Sequence, residues 1–373
     1  MILSDRRQSA CANRRPARAF TIIAGLAILL ITSGCRTAGY YRQAVRGHFQ
    51  ILADRQPIEE TIRGAESREE LDRKLALILE LREFAQTELL LDPGRHYLDY
   101  VQLDRRHVVW NVSASPEFSL NSKAWWYPFL GRLTYRGYFS EQDARGYGER
   151  LMNKGNDVFV GGVDAYSTLG WFNDPVLSSF IRRDDADLAE LIFHELAHQK
   201  IFARGDTDFN EAFATALAHE GVRRWLLARG DSTAIEKRRE NFERETEFIT
   251  LLLAARDKLE SLYARHDVDS LDGAGLAALR DEKQAVIDEL HADYATLRDK
   301  RWNGFKGYDR WMSLPINNAR LNTIDTYYDL VPAFKQLLRE VKGDLESFYA
   351  EVKRLKRTKK DKRHATLTGG DGC

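Results

Sequence analysis

His194-Glu195-Leu196-Ala197-His198 sets two imidazoles four residues apart with a carboxylate between them. On a helix, residues i and i+4 lie one above the other, so both rings face the same way. Two neutral histidines on one face form half of a zinc site, and the Glu beside the first can serve as general base. A third ligand is still required. Asn210-Glu211-Ala212-Phe213-Ala214 offers one in Glu211, at the start of a second helical pattern. Zinc held by His194, His198 and Glu211 would keep a fourth position open, as catalytic zinc sites do. Glu195 would then take a proton from attacking water and return it to a leaving amine. The pattern therefore implies one catalytic Zn2+ and hydrolysis of a peptide bond.

The flanks supply the helices that these side chains need. Asp184 or Asp185 can cap the first, and Leu188, Leu191, Ile192, Leu196 and Ile201 give an apolar stripe at helical spacing. Gly205 is placed to stop that helix, Asp206 and Asp208 to cap the next, and residues 209–227 read as the second. Packed side by side across a short turn, the two helices would bring Glu211 against the histidines. His219, two turns beyond Glu211, would be a fourth ligand only if the second helix turned it inward. The developing oxyanion usually needs a donor besides the metal. The tract Asn317-Asn318-Ala319-Arg320, running on to Tyr327 and Tyr328, concentrates such donors, with Tyr327 the expected catalytic hydroxyl.

These motifs resemble a bacterial family of zinc aminopeptidases predicted to be lipoproteins. The likeness runs from Cys35-Arg36-Thr37-Ala38-Gly39-Tyr40-Tyr41 through the tract around Asn317 and Tyr327. It includes Tyr135-Arg136-Gly137-Tyr138-Phe139 and Ala165-Tyr166-Ser167-Thr168-Leu169-Gly170-Trp171-Phe172. The set His194, Glu195, His198 and Glu211 is also similar to the wider gluzincin peptidases, whose Asn-Glu-x-Phe-Ala motif carries the third ligand. The resemblance implies a zincin-like metallopeptidase domain and exopeptidase action. Two features depart from the better-studied gluzincin aminopeptidases. The spacing from His198 to Glu211 is shorter, and the Gly-x-Met-Glu-Asn motif that anchors a substrate's free amine is absent.

The N-terminus bears on location. Arg6, Arg7, Arg14, Arg15 and Arg18 precede an apolar run over 20–31, and Thr32-Ser33-Gly34 places small residues before Cys35. Residues 1–34 thus read as a lipoprotein signal peptide with Cys35 as the lipidated residue. An uncleaved anchor is the alternative, although the run is shorter than the about 20 residues a spanning helix needs. Either way a soluble domain is tethered to the bacterial cell envelope. By resemblance to lipoprotein sorting, Arg36 favours the periplasmic face of the outer membrane.

Of 373 residues, 43% are hydrophobic and 11% aromatic, ample for a core. Lys plus Arg and Asp plus Glu are equal at 56 each, so no global field argues for nucleic acid. Three cysteines, at positions 11, 35 and 373, make no disulfide framework.

The pattern is mainly helical. Residues 40–63 and 67–90 read as amphipathic helices. Residues 108–113 and 158–166 read as strands, the second leading into Ala165–Gly170, where a strand edge beside the cleft could hold an extended peptide. Tyr166, Ser167, Asn317, Asn318 and Arg320 are therefore the candidate substrate-binding residues. Trp125, Trp126 and Tyr127 either line a pocket or pack in the core. Residues 232–302 carry two long charged helices, 234–265 and 274–301. Phe242, Phe248, Leu252, Leu259 and Tyr263 are spaced to face Leu279, Val286, Leu290, Tyr294 and Leu297 in an antiparallel hairpin. Residues 353–363 hold eight Lys/Arg against one Asp, and 353–373 reads as a basic, disordered tail that could bind anionic lipid.

The expected architecture is an α+β, mainly helical zincin-like domain over 35–352, with the hairpin at 232–302 as an insertion. Aminopeptidase action on peptides is the first functional reading. Endoproteolysis of envelope proteins is the second, and a metal-stabilised scaffold working through the hairpin is the third.

Overall fold

A computed structural model describes residues 35–64, 68–127, 131–165, 173–328 and 330–369, with backbone alone at 35–38 and 325–328. The chain divides into two compact units, 1–52 and 53–373. The described part of the first is helix α1 (Cys35–Ala53), whose last residue falls in the second unit. The single helix expected to residue 63 breaks at β1 (Gln56–Pro57) and resumes as α2 (Ile58–Arg63). Proline is the cause: it lacks an N–H and disfavours helical backbone in the residue before it.

The second unit is mainly helical α+β. Helix α3 (Glu69–Thr87) buries Leu75, Ile78, Leu81 and Ala85 on one face. The strands that follow are short: β2 (Asp99–Val101), β3 (Val109–Pro116), β4 (Trp125–Tyr127), β5 (Gly131–Leu133) and β6 (Tyr135–Tyr138). After helix α4 (Glu141–Met152) come β7 (Asn156–Val163) and β8 (Val176–Leu177). They make three small sheets, ordered β1-β2-β8, β6-β3-β7 and β4-β5. In the second sheet β3 is central and antiparallel to both neighbours, with Val112 opposite Arg136 and Val160. Strand β7 begins two residues before the expected 158 and ends at Val163. Among the described residues it is an edge strand, as a peptide-binding strand would have to be.

Helices α5 (Asp185–Lys200) and α6 (Thr207–Ala228) carry the two motifs. Helix α5 ends at Lys200, five residues before Gly205. Ile201 is already extended, and Gly205, at φ +76°, turns the loop back toward α6. Close packing of this pair depends on Gly221, where a Cβ would stand 2.8 Å from Leu89 Cδ1 and from Phe193 Cδ2. Asp184 occupies the N-cap of α5 without a capping hydrogen bond. Asp185 instead ties α5 to α3 through Arg73 (2.8 Å) and the buried Lys74 (2.6 Å).

Helices α7 (Ser232–Ala264) and α8 (Gly273–Thr296), the latter extended by a π turn over Leu297–Arg301, lie antiparallel. The pairs Phe248–Tyr294, Lys258–Glu289 and Arg265–Glu282 run in opposite directions along the two chains. Leu252, Leu259, Tyr263, Leu279, Leu290 and Tyr294 share one buried cluster, as their spacing predicted. Phe242 does not join it: its ring lies 3.9 Å from that of His219 on α6.

The chain closes with α9 (Asp309–Met312), α10 (Asn318–Tyr328), α11 (Val331–Glu340), α12 (Leu345–Lys356) and α13 (Lys360–Leu367). The basic segment expected as a disordered tail is therefore helical through Leu367. Phe348, Tyr349, Val352 and Leu355 bury one face of α12, and Arg363 is buried on α13. A count of like charges could not register that apolar spacing or the acid that Arg363 meets. No helix of the described residues is long and apolar enough to cross a membrane.

Candidate metal centre

Helices α5 and α6 run antiparallel, so Glu211 in the second turn of α6 comes back over the last turns of α5. His194 Nε2 and His198 Nε2 are 3.1 Å apart, and Glu211 Oε2 is 3.2 Å from the first and 3.6 Å from the second. Ligands held about 2.0–2.1 Å from zinc at tetrahedral angles stand about 3.3 Å from one another. The three donor atoms match that triangle. One feature departs from common zinc histidines. Nδ1 of His198 is buried with no hydrogen-bond partner, where a carboxylate or carbonyl usually orients the ring.

Electrostatics agree with the geometry. Burial pushes the Glu211 carboxyl up, but the hydrogen bonds and charges of His194 and His198 outweigh it and bring it down to about 2. Burial works to lower His198, and the Glu211 carboxylate more than offsets it, for a net rise. An anionic carboxylate facing two imidazoles is a donor set for a borderline divalent ion such as zinc. Glu195 is half-buried between the histidines, and its carboxylate accepts no hydrogen bond from the described residues.

His219 does not reach the triad. Its Nε2 meets Glu190 Oε1 at 3.0 Å, and Glu190 also pairs with Arg238 of α7. Burial pushes the His219 imidazole well down, and the nearby Lys335 and His194 act in the same direction. A second polar layer, Glu190–His219–Arg238, thus lies one helical turn beyond the triad.

Other expected site residues stand elsewhere. Asn318 is fully buried and donates to the carbonyls of Pro116 (3.1 Å), Glu117 (2.9 Å) and Ser119 (3.2 Å), while accepting from Tyr263 Oη (2.9 Å). Arg320, 1% exposed, donates to the carbonyls of Leu314 (2.6 Å), Pro315 (3.1 Å) and Trp311, and its guanidinium lies 3.9 Å from the Trp311 ring. Burial brings it down to about 10. Asn317 donates to Val158 O at 3.0 Å and accepts from Arg320 N at 3.0 Å. These three side chains strap α10 to strand β7, the end of β3 and the 311–315 turn mostly through backbone groups, while Asn318 also accepts from Tyr263 Oη and Nε of Arg320 is buried without a hydrogen-bond partner among the described residues. They hold the frame. Tyr327 lies on α10, but its side chain is not described, nor is that of Cys35 on α1; Tyr166 and Ser167 fall outside the described residues. Trp125 donates Nε1 to Tyr147 Oη at 2.8 Å, and Trp126 is exposed.

Two residues near the centre carry more than their sequence context suggested. Asn210, 2% exposed, makes a reciprocal pair with Ala203, accepting from its N–H at 2.7 Å and donating to its carbonyl at 2.9 Å. It therefore pins the α5–α6 loop one residue before the ligand Glu211. The motif itself contained this signal, since an Asn beside the ligand was present and had no role. Tyr97 is buried with φ +59°, a left-handed conformation rare for an aromatic residue and costing about 1–2 kcal/mol. Its N–H donates to Asp174 O at 2.7 Å, Asp174 N donates to His96 Nδ1 at 3.0 Å, and Arg82 Nε donates to His96 O at 2.6 Å. Burial first, then the carboxylates of Glu195 and Asp174, keep its phenol from ionising. A tyrosine in an irregular loop offers no periodic signal, so sequence alone could not place it within the field of Glu195.

A family model described as Putative aminopeptidase matches residues 39–367, while no curated protein and no solved structure gave a match. The matched span takes in the small sheets, both motif helices, the antiparallel pair α7–α8 and the C-terminal helices. The chain belongs to the Putative aminopeptidase family.

Proposed function

We propose that this protein is a zinc-dependent peptidase of zincin-like fold that removes residues from the amino end of peptides outside the cytoplasmic membrane. The convergence of His194, His198 and Glu211 at 3.1–3.6 Å beside Glu195 carries the reading. Zinc bound there supplies a Lewis acid that polarises the scissile carbonyl and acidifies water. The chain's own residues do the rest. Glu195 holds the proton lost by the attacking water and passes it to the departing amine. Tyr97 offers a buried, protonated phenol that feels the Glu195 charge, and Tyr327 of α10 is a second candidate donor to the developing oxyanion.

Commitment of His219 to Glu190 argues against a closed structural zinc site, which would fill its fourth position with protein. The antiparallel pair α7–α8 reads as an insertion in the peptidase domain, touching the metal helices through Phe242 and Arg238. The basic n-region, the apolar run and Cys35 support a lipid-anchored protein of the cell envelope, with the anchor as its membrane partner.

Matched free-amine and N-acetylated peptides, incubated with wild type and with Glu195→Gln, test the function. Wild type should cleave the free-amine peptide only, and Glu195→Gln should keep zinc and lose nearly all turnover. Equal cleavage of the acetylated peptide would make the enzyme an endopeptidase. Retention of a tenth or more of the activity in Glu195→Gln would remove the base mechanism.

A further inference from the structure

The first turn of α6 is held from the far end of the chain. Asp206, the N-cap of α6, is 1% exposed and accepts from Phe209 N at 3.3 Å. The same carboxylate takes Arg363 Nη1 at 2.6 Å and faces His364 Nε2 at 2.9 and 3.1 Å. Arg363, 6% exposed, spends its other donors on the carbonyls of Leu355 (3.2 Å), Lys356 (3.2 Å) and Thr358 (2.9 Å) at the end of α12. Its guanidinium lies 4.8 Å from the Phe209 ring, and Lys360 reaches Asp208 at 3.2 Å. Asp206, Asp208 and His364 could be mistaken for a second cation site, since their donor atoms lie within 4.8 Å of one another. Arg363 and Lys360 already supply the positive charge there, so a metal would have to displace both.

Arg363 is the buried cation of this set, since His364 and Lys360, the latter 3.8 Å from Asp206, are more exposed, and removing the buried partner of a buried carboxylate leaves its charge poorly compensated. The loop that ends at Asp206 is the one pinned by Asn210 to Ala203, and Glu211 follows directly. We propose that Arg363 is a positioning residue for the metal centre. Its pair with Asp206 seats the first turn of α6 and thereby holds Glu211 at ligand distance from His194 and His198. Helix α13 is then part of the frame of the metal site and not a tail. This rests on the reading of those three residues as metal ligands.

Zinc release separates this role from a merely structural one. The full-length, zinc-loaded chain is mixed with excess chelator well below its unfolding temperature, and release is followed by absorbance. Arg363→Ala should lose zinc at least about tenfold faster than wild type while far-UV circular dichroism stays native. Arg363→Lys, which keeps the charge and loses the planar fork, should fall between them. Lys362→Ala, removing an exposed cation on the same helix, should match wild type. If Arg363→Ala fails to fold, Asp206→Asn replaces it, since Asn still caps a helix and carries no charge to bury; it too should release zinc faster. Release within twofold of wild type from a folded Arg363→Ala or Asp206→Asn overturns the proposal and leaves the zinc reading intact. A wild-type chain that holds no zinc removes both.

Discussion

Removal of the Asn210 side chain is the most informative test of how the two motif helices are joined. Asn210→Ala deletes both hydrogen bonds to the buried Ala203, leaving its N–H without a partner among the described residues, while its carbonyl keeps the bond from Asp206 N at 3.2 Å. The unsatisfied N–H costs about 1–3 kcal/mol and the lost bond to the carbonyl about 1 kcal/mol, so the clamp is worth about 2–4 kcal/mol. For a chain this long, about 2 °C per kcal/mol translates that into a fall in Tm of roughly 4–8 °C. Asn210→Asp should be no better, because it keeps the acceptor for Ala203 N but turns a carboxylate toward Ala203 O. Thermal unfolding followed by circular dichroism on the metal-free protein measures the effect without help from zinc binding. A Tm within about 1 °C of wild type for Asn210→Ala would refute the reasoning, since it would mean that the loop does not need its clamp.

Gly221→Ala should destabilise by about 1–3 kcal/mol in denaturant unfolding, because its Cβ would meet Leu89 and Phe193 at 2.8 Å; a neutral effect would mean that the α5–α6 contact can open freely. Tyr97→Phe should lower turnover more than about tenfold with zinc content unchanged, and normal turnover would leave Tyr97 a packing residue. Arg320→Met should lower Tm with KM unchanged in whatever folded protein remains; a raised KM at unaltered Tm would return that tract to the substrate. Burial pushes the Asp185 carboxyl up, but hydrogen bonds from Arg73 and Lys74 outweigh it and hold it below the usual carboxylate range. Its folded pKa lies below the unfolded one, so its contribution is present above about pH 4 and lost as pH falls through the depressed value. Asp185→Asn should therefore lower Tm at pH 7 and converge on wild type once pH has fallen through the depressed value, and a constant gap would contradict the assignment.

The parts legible in sequence are those written in local periodicity. His194, His198 and Glu211 meet because a four-residue spacing and a short turn leave few alternatives, and the helices of 232–302 pair along the residues their apolar spacing marks. Charge counting misled at residues 353–363, where Arg363 is matched to an acid 157 positions away. Residue type could not show that the donors of Asn317, Asn318 and Arg320 serve carbonyls of distant loops and turns. Tyr97 was invisible because its buried place within the field of Glu195 depends on a strained loop and three long-range hydrogen bonds, none of which leaves a repeat in the chain.

Zinc content per chain is the most direct test of the metal centre. Elemental analysis of the purified full-length protein should find one zinc per wild-type chain and per Glu195→Gln chain, with near-complete loss from His194→Ala, His198→Ala and Glu211→Ala, each still folded. A Glu211→Ala protein that retained a full equivalent of zinc, or a wild-type chain that bound none, would contradict the assignment of these three residues as ligands.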